Sequence, residues 1–144
     1  MKSIIYILIA FIFSSCVEGP VGDSTYTTII NKSGHSIELQ EFYNGNYRSS
    51  SFIENNQSKE FKFEAGEPGG PTGPHIRPAM ASDSIWVIYY EKASIWHTTD
   101  KNSPVSRSLM LESSYEGGKV GDGVYEFTYT FTPEDYEEAL EFGD

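Results

Sequence analysis

The sequence predicts a mainly β fold, an antiparallel β-sandwich of seven or eight strands that ends in a short helix. Two observations lead to this prediction. Apolar and polar residues alternate with a period of two along most of the apolar stretches, and stretches rich in glycine, proline or asparagine separate them. The 144 residues can bury one core but are too few for two. We therefore expect a single domain from residue 24 to residue 144.

The first half of this domain contains three turn signals. Residues 25–30 alternate as a strand, the polar residues 31–34 interrupt the pattern, and it resumes at residues 37–39, which predicts a hairpin. Asn44 and Gly45 form the dipeptide that suits a type I′ turn, in which both central residues adopt positive φ. Two strands are expected to follow, one that ends at Ile53 and one that contains Phe61. Residues 66–74, with four glycines and three prolines, are expected to form a long loop.

The second half begins with the apolar residues 85–90, which are typical of a strand covered on both faces, followed by a strand at 93–98. If the connection has two or four residues, Trp86 faces His97, and Trp96 lies on the opposite face. Leucine and methionine at residues 109–111 suggest another strand, and the glycines between 117 and 123 suggest a loop.

The C-terminal strand and helix have the clearest pattern. Between residues 125 and 131, four aromatic residues alternate with polar ones, so one face of this strand is expected to cover the core. Thr132 is a suitable N-cap, Pro133 fits the first turn and Asp135 completes a capping box. A helix this short requires support from the sheet. The face expected to dock contains Tyr136, Ala139, Leu140 and Gly143.

The N-terminus has the features of an export signal. Lys2 precedes an apolar run at residues 4–13, which is too short for a membrane span of about 20 residues. The run ends in Phe-Ser-Ser-Cys, which resembles a bacterial lipobox. The resemblance implies a signal peptide at residues 1–15, a diacylglycerol-modified Cys16 and a tether over residues 16–23. A plain secretory signal is the alternative. Val17 is not the aspartate of inner-membrane retention, so the outer membrane is expected, at its periplasmic or outer surface.

Several phrases of the mature chain resemble the small lipoproteins of Bacteroidetes. They are the stretch from Thr28 to Ile37, the Asp-Ser-Ile that opens a strand at Ser84, and the closing Tyr129 to Tyr136. The resemblance implies an envelope location and a β architecture and transfers no active site. In this group, Asp-Ser/Thr-apolar sites are O-glycosylated, which makes Ser84 and Ser24 candidates. Ser24 is expected to be the more accessible because it lies in the flexible tether.

The charge distribution narrows the range of partners. A formal net charge of −11 makes nucleic acid an improbable ligand, because phosphates are repelled. Ten acidic residues and one lysine lie between Glu112 and Asp144. A solvated surface explains such a run, and a cationic partner or a calcium site is the alternative. We expect no metal and no cofactor.

No arrangement of residues indicates catalysis. The histidines His35, His75 and His97 lie far apart in sequence, and neither a Gly-x-Ser-x-Gly motif nor a His-Glu-x-x-His motif occurs. We expect a non-catalytic module that binds a glycan or an envelope protein, and a small envelope enzyme or inhibitor is the alternative. The candidate stacking residues are aromatic, and their alternative role is to fill the core. They are Trp86, Trp96, Tyr90 and Tyr47.

Overall fold

A computed structural model describes residues 22–65, 73–74, 82–90, 93–100 and 105–143. Within these ranges the chain forms eight strands, one 3-10 turn (Glu112–Ser114) and one α-helix. The strands and the helix are, in order, β1 (Ser24–Asn31), β2 (Ile37–Tyr43), β3 (Asn46–Ile53), β4 (Ser58–Glu64), β5 (Ser84–Tyr89), β6 (Ala93–Thr98), β7 (Glu116–Gly121), β8 (Val124–Phe131) and α1 (Pro133–Phe142).

The strands form two four-stranded sheets that pack as a sandwich. Sheet I has the order β4-β1-β8-β7 and sheet II the order β3-β2-β5-β6. Every pairing is antiparallel except that of the central strands β1 and β8 of sheet I, which run parallel. The predicted β-sandwich with a C-terminal helix is therefore confirmed, with one parallel pair that the sequence did not indicate.

The predicted hairpin between the first two strands is wrong. β1 belongs to sheet I and β2 to sheet II, so residues 32–36 carry the chain across the sandwich. Buried Asn31 stabilises this crossover. Its side-chain amide donates to the carbonyl oxygens of His35 (2.7 Å) and Ile53 (3.0 Å), and its Oδ1 accepts from Ser33. Alternation identifies a strand but does not choose its partner.

The Asn-Gly turn forms as predicted. Asn44 and Gly45 have φ values of 49° and 71°, and they join β2 to β3 in a hairpin. The hairpin register shifts between Glu41 and Phe42, where a bulge interrupts the ladder. Phe42 is therefore paired with Tyr47, and both side chains lie on the solvent-facing side of sheet II.

The core lies between the two sheets. Every strand except the edge strand β7 contributes inward-facing residues to it, and β8 supplies the most aromatic surface, as its pattern predicted. Fully buried members include Ile29, Tyr89, Tyr129 and Phe131.

The strand at residues 84–89 is not covered on both faces, in contrast to the expectation. Ile85, Val87 and Tyr89 are buried, while Trp86 and Ile88 on the other face are only half-buried. Three residues, 90–92, connect β5 to β6, and the predicted cross-strand pairs are therefore off by one position. A shift of one residue exchanges the faces of a strand.

Two further predictions fail between residues 109 and 121. Leu109 is buried in a turn rather than in a strand, and the glycine-rich stretch forms edge strand β7 instead of a loop. Gly117 has a φ of +119°, and a Cβ there would lie 2.1 Å from the carbonyl oxygen of Glu126. The position requires glycine, so a residue type that usually marks a loop is part of the sheet.

The helix α1 begins as predicted but docks on a narrower face. Thr132 and Asp135 form the capping box, and Asp135 also pairs with Arg107, whose guanidinium donates to the Thr130 carbonyl (2.9 Å). Ala139 is buried, whereas Leu140 is 55% exposed and does not contribute to docking.

Candidate functional site on the outer face of sheet II

Trp86 and Trp96 lie side by side on the outer face of sheet II. They are direct cross-strand partners on β5 and β6. Their ring centroids are 5.4 Å apart and their planes differ by 7°, which is a stacked pair. A connection of two or four residues would place them on opposite faces, and the three-residue connection places them on the same face.

Two more aromatic rings extend this pair towards the β2–β3 turn. The Phe42 ring lies 5.0 Å from the Trp96 ring, and the Tyr47 ring lies 5.9 Å from Phe42, both in edge-on geometry. Phe42 and Trp96 belong to strands on either side of β5, and Ser84 is the β5 residue paired with Phe42. The small Ser84 side chain leaves room for this contact. We call Tyr47, Phe42, Trp96 and Trp86 the aromatic row.

The members of the row differ in how much ring surface they offer to a ligand. The stacked faces of Trp86 and Trp96 are occupied by each other, and the buried Trp86 indole N–H has no hydrogen-bond partner among the residues that the structure describes. Trp86 is half-buried, and Trp96 is 36% exposed at the edge strand. Tyr47 is 56% exposed. Tyr47 and Trp96 are thus the accessible rings, and Trp86 holds Trp96 in position.

Hydrogen-bonding side chains lie beside the row on the same face. Gln40 is the cross-strand neighbour of Trp86, and its side-chain amide donates to the Glu38 carboxylate at 3.1 Å. On the other side of Gln40, Ser50 is its partner on β3 and is exposed. Ser50, Gln40, Trp86 and Trp96 therefore form one line across the four strands of sheet II.

Asp83 holds the turn at the end of the row. Its Oδ2 accepts a hydrogen bond from the backbone N–H of Asn44 (2.7 Å), and its Oδ1 accepts one from the Ser84 hydroxyl (2.9 Å). Arg48 lies 5.5 Å from the centre of the Tyr43 ring. The candidate modification residue Ser84 is half-buried on a central strand, directly beneath the row.

Two of the predicted residues lie away from the row. Tyr90 is 60% exposed but follows β5 at the end of sheet II opposite to Tyr47, so the four candidate stacking residues do not form one surface. Ser24 is the first residue of β1, and its N–H donates to the Gly123 carbonyl at 2.7 Å. The expectation that Ser24 lies in a flexible tether is therefore wrong, because hydrogen bonds of sheet I hold this residue.

The two described histidines pack inside or against the fold. The ring Nδ1 of buried His97 accepts the backbone N–H of Leu109 (3.0 Å), and burial, together with the charge of Arg107, lowers the His97 pKa to about 3. The His35 ring lies 3.9 Å from that of Tyr136. His75 lies outside the described residues. Within them, no group of three or more His, Cys, Asp or Glu side chains could hold a metal ion.

The outer face of sheet I has a different character. A shallow cavity of about 300 Å³ lies there between threonine hydroxyls and carboxylates, and its lining includes Tyr26, Thr28, Glu60, Glu126 and Thr128. Aromatic rings do not form a cluster on this face in the described part of the chain. The lining of this cavity is mostly polar, and its described lining residues include neither lysine nor arginine.

Comparison with known proteins leaves the site to be interpreted from its own geometry. No protein-family model, curated protein or solved structure matches the chain. Cys16 lies outside the described residues. Among the residues that are described, no helix is long and apolar enough to cross a membrane.

Proposed function

We propose that this protein is a non-catalytic, lipid-anchored module of the bacterial outer membrane that binds a glycan on the outer face of sheet II. The aromatic row carries this proposal. Four contiguous aromatic side chains lie on a solvent-facing surface, with the Gln40–Glu38 pair beside them. Pyranose rings expose apolar C–H faces that pack on aromatic rings, and rims of hydroxyl groups that pair with amides and carboxylates.

The shape of the surface favours one class of glycan. The outer face of the four strands of sheet II carries exposed rings at Tyr47 and Trp96. A β-linked chain with equatorial substituents is an extended ribbon whose flat faces match such a surface. A protein partner would require a larger buried apolar centre. The acidic chain also disfavours polyanions.

The connectivity supports an anchored arrangement. β1 begins at one end of the sandwich and the crossover lies at the other, so the β2–β3 turn returns to the end where β1 begins. The eight tether residues 16–23 span at most about 28 Å when fully extended. The aromatic row would then lie in the half of the domain nearer to the membrane, within reach of surface glycans.

Binding can be tested with the full lipidated protein in detergent on an array of neutral and acidic oligosaccharides. We expect binding to β-linked chains with equatorial hydroxyls. Tyr47→Ala and Trp96→Ala should each weaken binding by about three- to tenfold, the range of an aromatic contact. Tyr90→Ala is the matched control, since Tyr90 is equally exposed but remote. An equal loss in all three variants, or no binding to any glycan, would contradict the proposal.

The anchor requires a separate experiment. We expect a lipid label to be incorporated into the wild-type protein but not into Cys16→Ser, and the variant should leave the membrane fraction, because acyl chains contribute about 0.8 kcal/mol per buried methylene. Proteinase K treatment of intact cells then distinguishes the two surfaces of the outer membrane. Unchanged membrane association of Cys16→Ser would exclude lipid anchoring.

A further inference from the structure

A second cavity opens at the side of the sandwich, where the two sheets separate. It lies between β3, an edge of sheet II, and β4, an edge of sheet I, and has a volume of about 350 Å³. Consecutive serines of β3 line one wall, and the opposite wall includes Lys59, Glu60 and Phe61 of β4. We call this cavity the edge groove.

Lys59 is the distinctive residue of the edge groove. It occupies a core-facing position of β4 and is half-buried between the sheets. Its ammonium group donates to the Ser51 hydroxyl at 3.0 Å and lies 5.6 Å from the centre of the Phe61 ring. Within the described ranges it forms no salt bridge, whereas neighbouring Lys62 pairs with Glu64 at 2.6 Å.

This environment suits an anion. An ammonium group has three N–H donors, and the Ser51 hydroxyl uses one of them. Partial burial of a charge without a counter-ion is unfavourable, and a carboxylate in the groove would remove that cost. Because Ser51 accepts from Lys59, its own O–H remains able to donate, and the Ser49 hydroxyl lines the same wall.

The groove is continuous with the proposed glycan surface. Ser50 lines it and is also the first member of the line that continues through Gln40 and Trp86 to Trp96. With neighbouring strands about 4.8 Å apart, Ser50 lies about 10 Å from Trp86. An oligosaccharide that crosses the sheet along this line would place its terminal sugar at the groove.

We propose that the edge groove binds the carboxylate of a single uronic acid at one end of the glycan, with Lys59 as its counter-ion. This inference rests on the proposed glycan binding and specifies its ligand. Glu60 borders the groove, and the chain has a net charge of −11. A ligand with one carboxylate is therefore favoured over a polyanion, whose further charges would be repelled.

The test compares cellotetraose with the same tetrasaccharide carrying one glucuronic acid at its non-reducing end. These ligands differ only by a carboxylate in place of a hydroxymethyl group. Calorimetry with the full lipidated protein should show about tenfold tighter binding of the acidic form, the scale of a charge-assisted hydrogen bond. Lys59→Gln should abolish this preference, so that the variant binds the two tetrasaccharides equally.

Two further variants separate a local from a general charge effect. Lys119→Gln removes the same charge from β7, at the opposite edge of sheet I, and should preserve the preference. Glu60→Gln should strengthen binding of the acidic form alone by about two- to threefold, because it removes a nearby repulsion.

The outcomes distinguish this inference from the proposal on which it rests. Equal affinity of the wild-type protein for both ligands, or a preference that persists in Lys59→Gln, would overturn the edge-groove assignment alone. Binding of neither tetrasaccharide would overturn glycan binding by the aromatic row as well.

Discussion

The outer faces of the two sheets carry different residue types, and this difference shows which outward side chains the sandwich needs in order to fold. Both faces belong to four-stranded sheets that cover the same core. On sheet I the outward positions carry hydroxyls and carboxylates, including Thr28, Thr128, Glu60 and Glu126. On sheet II the outward positions of all four strands include the aromatic row. Sheet I, with Tyr26 on its outer face but no cluster of aromatic rings among the described residues, shows that the fold can form without such a cluster, so the cluster on sheet II calls for a separate explanation.

Part of that explanation could be stability, since cross-strand aromatic pairs contribute up to about 1 kcal/mol. This accounts for the stacked pair of Trp86 and Trp96, whose faces cover each other. It does not account for Tyr47, which is more than half exposed and contacts Phe42 only edge-on. Substitutions on the two faces can therefore be compared by measuring two quantities separately, the free energy of unfolding and the affinity for a glycan.

The largest expected effect is on the core that both faces share. Phe131→Ala removes a fully buried ring that packs against Tyr89, His97 and Tyr129. We expect the free energy of unfolding to fall by about 3–5 kcal/mol. Urea denaturation measures this change. A loss below 1 kcal/mol would contradict the described core, whereas glycan affinity should be retained by whatever fraction stays folded.

Acidification should lower the free energy of unfolding of the domain that carries both faces, because His97 is protonated more readily in the unfolded chain. Its pKa is about 3 in the folded protein, below the usual value of 6.5, so the unfolded chain binds a proton that the folded one does not. The His97 contribution is constant above pH 6.5 and declines as the pH falls towards 3, by about 1.4 kcal/mol per pH unit.

A matched variant isolates this contribution from that of the carboxylates. His97→Asn keeps an acceptor near the position of Nδ1 for the Leu109 N–H but cannot titrate. Urea denaturation at several pH values should show a shallower loss of stability for His97→Asn than for wild type between pH 6 and pH 4. Parallel curves would show that the folded protein binds a proton at His97 as readily as the unfolded chain does.

Substitutions on the two outer faces should change the free energy of unfolding by different amounts. Trp86→Ala removes a half-buried indole and the support of Trp96, and we expect a loss of about 1–2 kcal/mol in the free energy of unfolding. Thr28→Ala on sheet I should change it by less than about 0.5 kcal/mol. Thermal unfolding followed by circular dichroism measures both. Equal effects would mean that the row contributes no more to stability than the polar face does.

The fold could be predicted from the sequence wherever the signal is local. The alternating aromatic residues of β8, the capping box at Thr132 and the Asn44-Gly45 turn each depend on a few neighbouring residues. The partner of β1 could not be predicted, because a crossover and a hairpin turn have similar composition. β7 was missed because its glycines are required by close backbone contact at Gly117, which no local pattern reveals.

The candidate site could be predicted in composition but not in arrangement. Trp86, Trp96 and Tyr47 were identified from their residue type, while the position of the tryptophans on one face depends on a three-residue connection that the sequence does not define. Phe42 was missed, although its position next to the Asn-Gly turn places it opposite Tyr47. The edge groove was not predicted, because it requires knowledge of which strands form the edges of the two sheets.

The most direct test of the account compares two tyrosines on the outer faces of the two sheets. Tyr47 belongs to the aromatic row, and Tyr26 is a half-buried residue on the outer face of sheet I. Calorimetric titration of each Ala variant with cellotetraose should show a three- to tenfold loss of affinity for Tyr47→Ala, of the order expected for one aromatic contact, and no loss for Tyr26→Ala. Equal affinities of both variants and the wild type would contradict glycan binding on sheet II.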